Sequence, residues 1–539
     1  MQHELDADVI VVGGGHNGLI CAAYLARAGV DTLLIEARHA VGGCASTVSD
    51  LDARFNICNC DHSMVRAMPI ADELDLASHG LEYLEPEVSA IHRFHDGSTP
   101  WLFFHDVERH LDALTITHPH AVDGYRRYLA DAFPVAELVL AMARTPPSAL
   151  RMSRTVLAKR AAGAARLLDW SRCSQAEVMA RYFDDWHMVM PGVSTGPTVW
   201  GAPHTAPGTG MAAAIYAARH LVKSGRPRGG SGALTDSVRA SFEAAGGKVR
   251  CGSRVERLLM HDGAVTGVRL DDGTELSAVK VVAACDPQRV FVDWFDEVPA
   301  AAKRMVDRWR SQPVLDGYES KVDGVLTGLP RWRTEPLLAD VAQGVDLLAP
   351  TTVVSPSPEQ IAEAHRLRGE GKVAPLPTFL VNVPTLLDPN MQPDPNQHVL
   401  SLEVLFTPYA LEGGWPESGE PARWLEVLDG LMEPGTLQLD RWRSMTPDRY
   451  ETEFSMHRGH TPSYAGPPLS AFLGLHRETT RYRTPITGLY LSGAGTFPGA
   501  GVFGASGRNA ADAVAHDLRA NGRSLASLGR TITSRLRSR

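Results

Sequence analysis

Three glycines and one acid near the start of the chain have the spacing of a turn that holds a pyrophosphate and a ribose. Gly13, Gly15 and Gly18 spell G-x-G-x-x-G directly after the apolar run Val9-Ile-Val-Val12, with His16 and Asn17 inside the turn. Glu36 closes a second apolar run, Leu33-Leu-Ile, eighteen residues after Gly18. Each residue type has a physical task. Gly13 permits the tight turn, Gly15 lets backbone N–H groups approach a pyrophosphate, and Gly18 lets helix and strand pack closely. The helix expected over residues 19–28 presents unpaired N–H groups and its positive dipole end to the phosphates. A carboxylate at Glu36 accepts hydrogen bonds from ribose hydroxyls. Strand, turn, helix, strand and acid in register define a dinucleotide site.

The residues beyond the acid narrow the ligand. After Glu36 come Ala37 and Arg38, then the pair Gly42-Gly43, a second place where backbone can pass close to a bound group. Near the other end, the apolar stretch Leu489-Tyr-Leu opens into a glycine-rich loop holding Gly493, Gly495, Gly501, Val502 and Phe503, and residues 510–518 read as a helix. A helix starting near 502–506 can aim its positive end at an electron-rich ring edge. Gly208-Thr-Gly210-Met-Ala-Ala213 also spells G-x-G-x-x-A, but Pro203, His204 and Pro207 precede it where a strand would be needed. Without a second fingerprint, a dedicated nicotinamide site is not expected, and electrons are expected to leave to oxygen, a quinone or another carrier.

The chain resembles the phytoene desaturase-like flavoproteins, most closely the carotene ketolase branch and the related pyridine nucleotide-disulfide oxidoreductase domain 2 proteins. The opening Gly13-Gly-Gly-His-Asn-Gly-Leu19 carries the resemblance, with the closing Gly493-Ala-Gly-Thr-Phe-Pro-Gly-Ala-Gly501. It implies FAD. It also implies that the stretch around Arg254, Val255 and Glu256 passes beside the adenine, Val255 through its backbone. The closing motif departs from the family pattern twice: Phe497 stands where histidine is common, and Ala500 replaces a glycine.

The fold class expected is α/β, a Rossmann-like FAD-binding domain built from discontinuous segments plus an α+β substrate domain with an antiparallel sheet. Residues 1–82, 228–287 and 484–518 are expected in the first, 83–227 and 288–483 in the second, with 519–539 a basic tail. A length of 539 residues suits two domains. Net charge of −9 argues against nucleic acid as a partner. No apolar run is long enough for a spanning helix. The seven cysteines are scattered without C-x-x-C, which reads as reduced thiols in a cytoplasmic protein rather than a disulfide reductase or a zinc clip.

A flavoenzyme needs few ionisable groups, because the cofactor accepts the hydride while the protein positions the substrate C–H bond. His457, in Met456-His-Arg-Gly459, is the first polar candidate, by resemblance to a family Phe-His-Gly segment, and His204 the second. Tyr464 and Lys321 rank lower, with Lys321 read as a strand residue reaching for water. No metal spacing is found among His92, His95, His105 and His110. Basic residues between Arg144 and Arg172, interleaved with Leu150, Val156, Leu167 and Trp170, suit either a peripheral membrane contact or a solvated helix face. The expected function is an FAD-dependent oxidoreductase of dehydrogenase or desaturase type, taking hydride from an apolar, isoprenoid- or carotenoid-like substrate. An amine oxidase-like flavoenzyme is the alternative within enzymes, and a non-catalytic flavin-binding scaffold or chaperone at a membrane the alternative outside them.

Overall fold

The run Val9-Ile-Val-Val12 has no polar alternation because both faces of its strand are covered. In the computed structural model, which describes residues 5–58, 60–392, 394–464, 466 and 468–520, the strand Ala7–Val12 sits at the centre of a seven-stranded sheet. Val9 and Val11 point into one apolar cluster, Ile10 and Val12 into another. Two-sided burial of this kind is what a parallel sheet requires. Its order is Val255–His261, Ala264–Leu270, Glu275–Ala283, Ala7–Val12, Thr32–Ile35, Lys248–Arg250, with Leu489–Leu491 pairing parallel to Glu275–Ala283. The strand Glu275–Ala283 serves two ladders. Residues 275–277 pair antiparallel with Ala264–Leu270, and residues 278–283 pair parallel with Ala7–Val12. Helices His16–Arg27, Gly232–Ala244 and Ala505–Ala520 contribute to the cluster on one side, while Pro287–Asp293 and Lys303–Ser311 contribute to the other.

A second seven-stranded sheet runs Leu439–Met445, Glu319–Leu326, His398–Leu405, Phe379–Asn382, Thr351–Ser355, Val88–Phe94, Trp101–Phe104. All its pairings are antiparallel except Thr351–Ser355 with Val88–Phe94. One face is an apolar layer of Val322, Val354, Phe379, Leu402 and Val404 under Trp332 and Trp424. The opposite face meets the segment around Phe55 and Asn56, where Phe55 packs with Val325 and Val399. Helices Val122–Ala143, Trp186–Ser194 and Met211–Ala217 form a third packed region with Trp101 and Phe103.

The sequence reads as one long helix over 149–170, and the structure makes two. Ala149–Ala158 and Ala164–Trp170 are separated by a turn in which Gly163 is left-handed, and a Cβ there would lie 2.6 Å from the Pro134 backbone. The segment 83–227 also supplies the strands Val88–Phe94 and Trp101–Phe104 to the second sheet, where the sequence marks no strand. Every residue of Val88–Phe94 is buried, Ser89, His92 and Arg93 included, so the alternation that would reveal a half-buried strand is missing.

Candidate functional site

Three chain segments far apart in sequence converge at the end of the strand Ala7–Val12. Gly13 and Gly493 both flank Ala284, each in a positive-φ conformation, with a Cβ at Gly13 placed 2.8 Å from the Ala284 carbonyl oxygen. At Gly18 a Cβ would stand 1.9 Å from the Gly13 carbonyl, so only glycine allows this helix to sit against its own turn. Gly42 donates its N–H to the Gly14 carbonyl at 2.8 Å, and Gly43 lies against Gly15, where its Cβ would be 3.1 Å from the Gly15 Cα. The first helix and the last cross here: a Cβ at Gly507 would be 2.2 Å from the Asn17 carbonyl oxygen, and Gly507 donates its N–H to Asn17 Oδ1 at 3.4 Å. The starts of His16–Arg27 and Ala505–Ala520 are thereby brought together.

The acid is held ready. Glu36 is buried, and its carboxylate accepts the N–H of Gly14 at 2.6 Å and of Arg38 at 2.8 Å. The chain beyond Ala37 runs beside residues 250–254: Gly252 donates to the Arg38 carbonyl at 2.8 Å and Ser253 to the Glu36 carbonyl at 2.9 Å. Val255, buried, begins the next strand two residues on. Arg38 lies 4.0 Å over the Phe454 ring and donates to Ser46 Oγ at 3.3 Å. His16 ties the opening turn to the closing loop through a hydrogen bond with the Gly501 backbone, and burial pushes its pKa down to about 4, so the ring is neutral at pH 7. Val502 accepts the N–H of Val65 at 3.0 Å, while Phe503 is buried in the cluster shared by the first and last helices.

These residues fit FAD. A Cβ built at Gly15 or at Gly501 meets no atom within 4 Å, so bare backbone at both positions faces space able to take a phosphate or a ring edge. Two convergent helix starts and an anchored carboxylate are the donor set and acceptor that a dinucleotide needs.

The wall opposite the cradle is built by residues 456–464 and by the second sheet. Cys44 Sγ, directly after Gly43, lies 3.6 Å from Met456 Sδ and 4.0 Å from Thr461 Oγ1. A Cβ at Gly495 would stand 3.6 Å from Pro462, and Tyr464 donates its N–H to the Ala494 carbonyl at 2.9 Å. Tyr464 packs edge-on to Phe497 with ring centroids 6.0 Å apart, and burial raises its hydroxyl to about 12. Lys321 does not reach for water. It is 1% exposed, bonded to Asp323 at 2.5 Å and to the Asn56 carbonyl, because its strand turns that face toward the segment around Phe55 and Asn56.

The two sequence-derived histidines occupy different places. His457 is half-buried beside Glu451, 3.4 Å from its Oε1, on the segment that reaches the cradle. His204 lies near Glu359 and His365 and its pKa is lowered by burial. Gly208 and Gly210 both donate to the Cys173 carbonyl at the start of Met211–Ala217, and no strand leads into them. Sequence reasoning passed over His460. Its Nδ1 is buried without a hydrogen-bond partner, its ring is 6.2 Å from Tyr318, and burial lowers its pKa. The signal was its neighbourhood: Thr461 and Pro462, next in sequence, touch Cys44 and Gly495.

A flavin cradle facing a mixed sheet and a helical layer defines a flavoprotein oxidoreductase. The description "Flavin containing amine oxidoreductase" matches residues 18–316, and the chain belongs to that family. It is 28% identical to the rat pyridine nucleotide-disulfide oxidoreductase domain-containing protein 2, over 95% of this chain and 94% of that one. A limonene dehydrogenase polypeptide of Castellaniella defragrans is 26% identical over 97% and 96% of the two chains. The lycopene-forming phytoene desaturase of Pseudescherichia vulneris is 26% identical over 94% and 99%. In fold the chain is similar to putrescine oxidase bound to putrescine, with TM-score 0.62 and 17% identity over 95% of this chain and 99% of that one. The chain is an FAD-dependent oxidoreductase of the amine oxidase and desaturase type.

Proposed function

We propose that this enzyme dehydrogenates an apolar, isoprenoid-like substrate, with FAD held by the opening turn, Glu36, Gly42-Gly43, Val255 and the closing loop through Phe503. Bound FAD supplies a hydride acceptor. The chain's own groups hold and orient the substrate against it, with His460 and His457 as the polar candidates on the wall and His204 outside the cradle. The observation that carries the apolar reading is a cluster of exposed leucines on the helical layer. Leu150 and Leu157 of Ala149–Ala158 are 61% and 72% exposed, and Leu469 and Leu473, on the helix packed against it, are 54% and 57% exposed. A surface of this kind suits a bilayer from which a water-insoluble substrate is collected. No described helix is long and apolar enough to cross a membrane, and the contact proposed is peripheral. Names among the relatives agree, since one is called for limonene and another for phytoene.

Anaerobic mixing decides between substrate classes. Limonene or a polyene should bleach the flavin band of the holoenzyme, and putrescine should not. Bleaching by putrescine with none by either hydrocarbon would overturn the reading in favour of an amine oxidase. NADH and NADPH should reduce the flavin slowly and without saturation. Fast, saturable reduction by either, in stopped flow, would reveal a nicotinamide site. Oxygen and a quinone are the acceptors to supply for turnover.

A further inference from the structure

The inner face of the second sheet carries two acids in contact. Pairing of Glu319–Leu326 with His398–Leu405 sets Lys321 opposite Glu403 and Glu319 opposite Leu405. Glu319 is therefore the diagonal neighbour of Glu403 on the same face, within reach of a long side chain. Their carboxyls interact with one another, and Glu319 lies beside Cys58, on the segment that Lys321 holds through the Asn56 carbonyl. Cys58 in turn lies beside Cys44, because the Ile57 N–H donates to the Ser46 carbonyl at 3.0 Å, and Cys44 follows Gly43 of the cofactor cradle. A run of exchangeable protons thus leads from the cradle to the sheet.

The groups around the pair cannot neutralise two charges. Lys321 is bonded to Asp323 at 2.5 Å and to the Asn56 carbonyl. Arg443 lies 3.1 Å from Asp323 and 3.0 Å from Asp50. The Tyr450 hydroxyl, also near the pair, donates to the Ile57 carbonyl at 3.2 Å, and Tyr318 is buried alongside. Among the described residues, the cations on this face are all engaged elsewhere, Lys321 and Arg443 by Asp323 and Arg441 by Asp440 and the Leu51 carbonyl. Two touching carboxylates without a cation of their own do not both ionise. Burial acts the same way, and both groups are pushed above the usual carboxylate range, Glu403 the further.

We propose that Glu319 and Glu403 form a one-proton carboxyl pair that accepts the proton released during substrate dehydrogenation, linked to the cofactor cradle through Cys58 and Cys44. The proposal rests on the dehydrogenase reading above. FAD held in the cradle would supply the two-electron acceptor for the hydrogen and electron pair of one substrate C–H bond. The neighbouring C–H bond loses a proton, its electrons become the new carbon–carbon π bond, and the proton goes to the ionised member of the pair. The pair is then doubly protonated and returns to its resting state by releasing one proton to water.

The test is an infrared difference spectrum between oxidised and photoreduced holoenzyme, which needs no substrate. At neutral pH the wild type should show a protonated-carboxyl carbonyl band that changes on flavin reduction. That band should be lost in Glu403→Gln and in Glu319→Gln, each of which replaces a carboxyl by an amide of nearly the same shape. Cys58→Ala should keep the band but reduce its response to flavin reduction. A yellow wild-type protein without the band overturns the proposal, whatever the variants do, and so does a band unchanged in both glutamine variants. A colourless protein would instead refute the FAD assignment.

Discussion

At the scale of single residues, the glycines were legible and the wall was not. A glycine required by a close backbone approach leaves a local mark, so Gly13, Gly15, Gly18 and Gly43 could be singled out from spacing alone. Gly15→Val should place a branched side chain where the pyrophosphate is proposed to lie. The expected outcome is a folded, colourless protein that releases no FAD on denaturation, and an unchanged flavin content would refute the cradle. Lys321, His460 and the Glu319–Glu403 pair take their meaning from strand register and from a loop that folds back across the chain, which no short motif records. His460→Ala should keep full FAD occupancy and slow flavin reduction by substrate about a hundredfold, the range that loss of a positioning contact can cost. His457→Ala should slow it less than about tenfold, because His457 is half-exposed and already turned to Glu451. The reverse order, measured by stopped flow at equal flavin content, would move the role to His457.

At the scale of elements, the parallel strands and the first and last helices were readable because buried apolar runs and glycine turns mark their limits. The strand Val88–Phe94 was hidden by its own burial, since His92 and Arg93 sit among aromatic rings rather than at a polar edge. That choice has a thermodynamic consequence. His92 bonds to the Tyr216 hydroxyl at 3.1 Å, His110 to the Leu102 carbonyl at 3.1 Å, and His220 to the Tyr125 hydroxyl at 2.9 Å, all within the helical core. Burial lowers the pKa of His220 to about 4 and of His92 and His110 well below the ordinary histidine value. With the folded values depressed, the unfolded chain binds protons first. The stability these groups contribute is present above the unfolded histidine value and is lost as pH falls toward the folded ones. The unfolding free energy from denaturant titration should fall between about pH 7.5 and pH 5.5 by roughly 1 kcal/mol per histidine. His220→Gln should flatten that slope, and an equal slope in the variant would assign the pH dependence to other groups.

At the scale of the whole molecule, two touching helices of the helical layer each carry exposed leucines. The sequence drew attention to the arginines of this layer, but the fold supplies them with acids. Lys159 meets Glu137 at 2.8 Å, Arg166 meets Asp131, Arg151 lies 3.8 Å from Asp512, and Arg144 donates to the Ala67 carbonyl. Arg154, Arg160 and Arg172 remain exposed. Of the basic tail, only Arg519 belongs to the described helix, and the other arginines lie outside the described residues. The attraction of these helices to a bilayer should therefore come mainly from Leu150, Leu157, Leu469 and Leu473. Inserting one leucine is worth roughly 1.5–3 kcal/mol, against about 1 kcal/mol for a basic group near an anionic surface. Cosedimentation with vesicles should then fall about tenfold or more in Leu157→Glu and in Leu473→Glu. Raising salt should weaken it only modestly, because screening acts on charge and not on apolar insertion. Binding abolished by salt but indifferent to Leu157→Glu would return the role to the arginines, and binding absent in the wild type at low salt would remove the bilayer from the account of how substrate arrives.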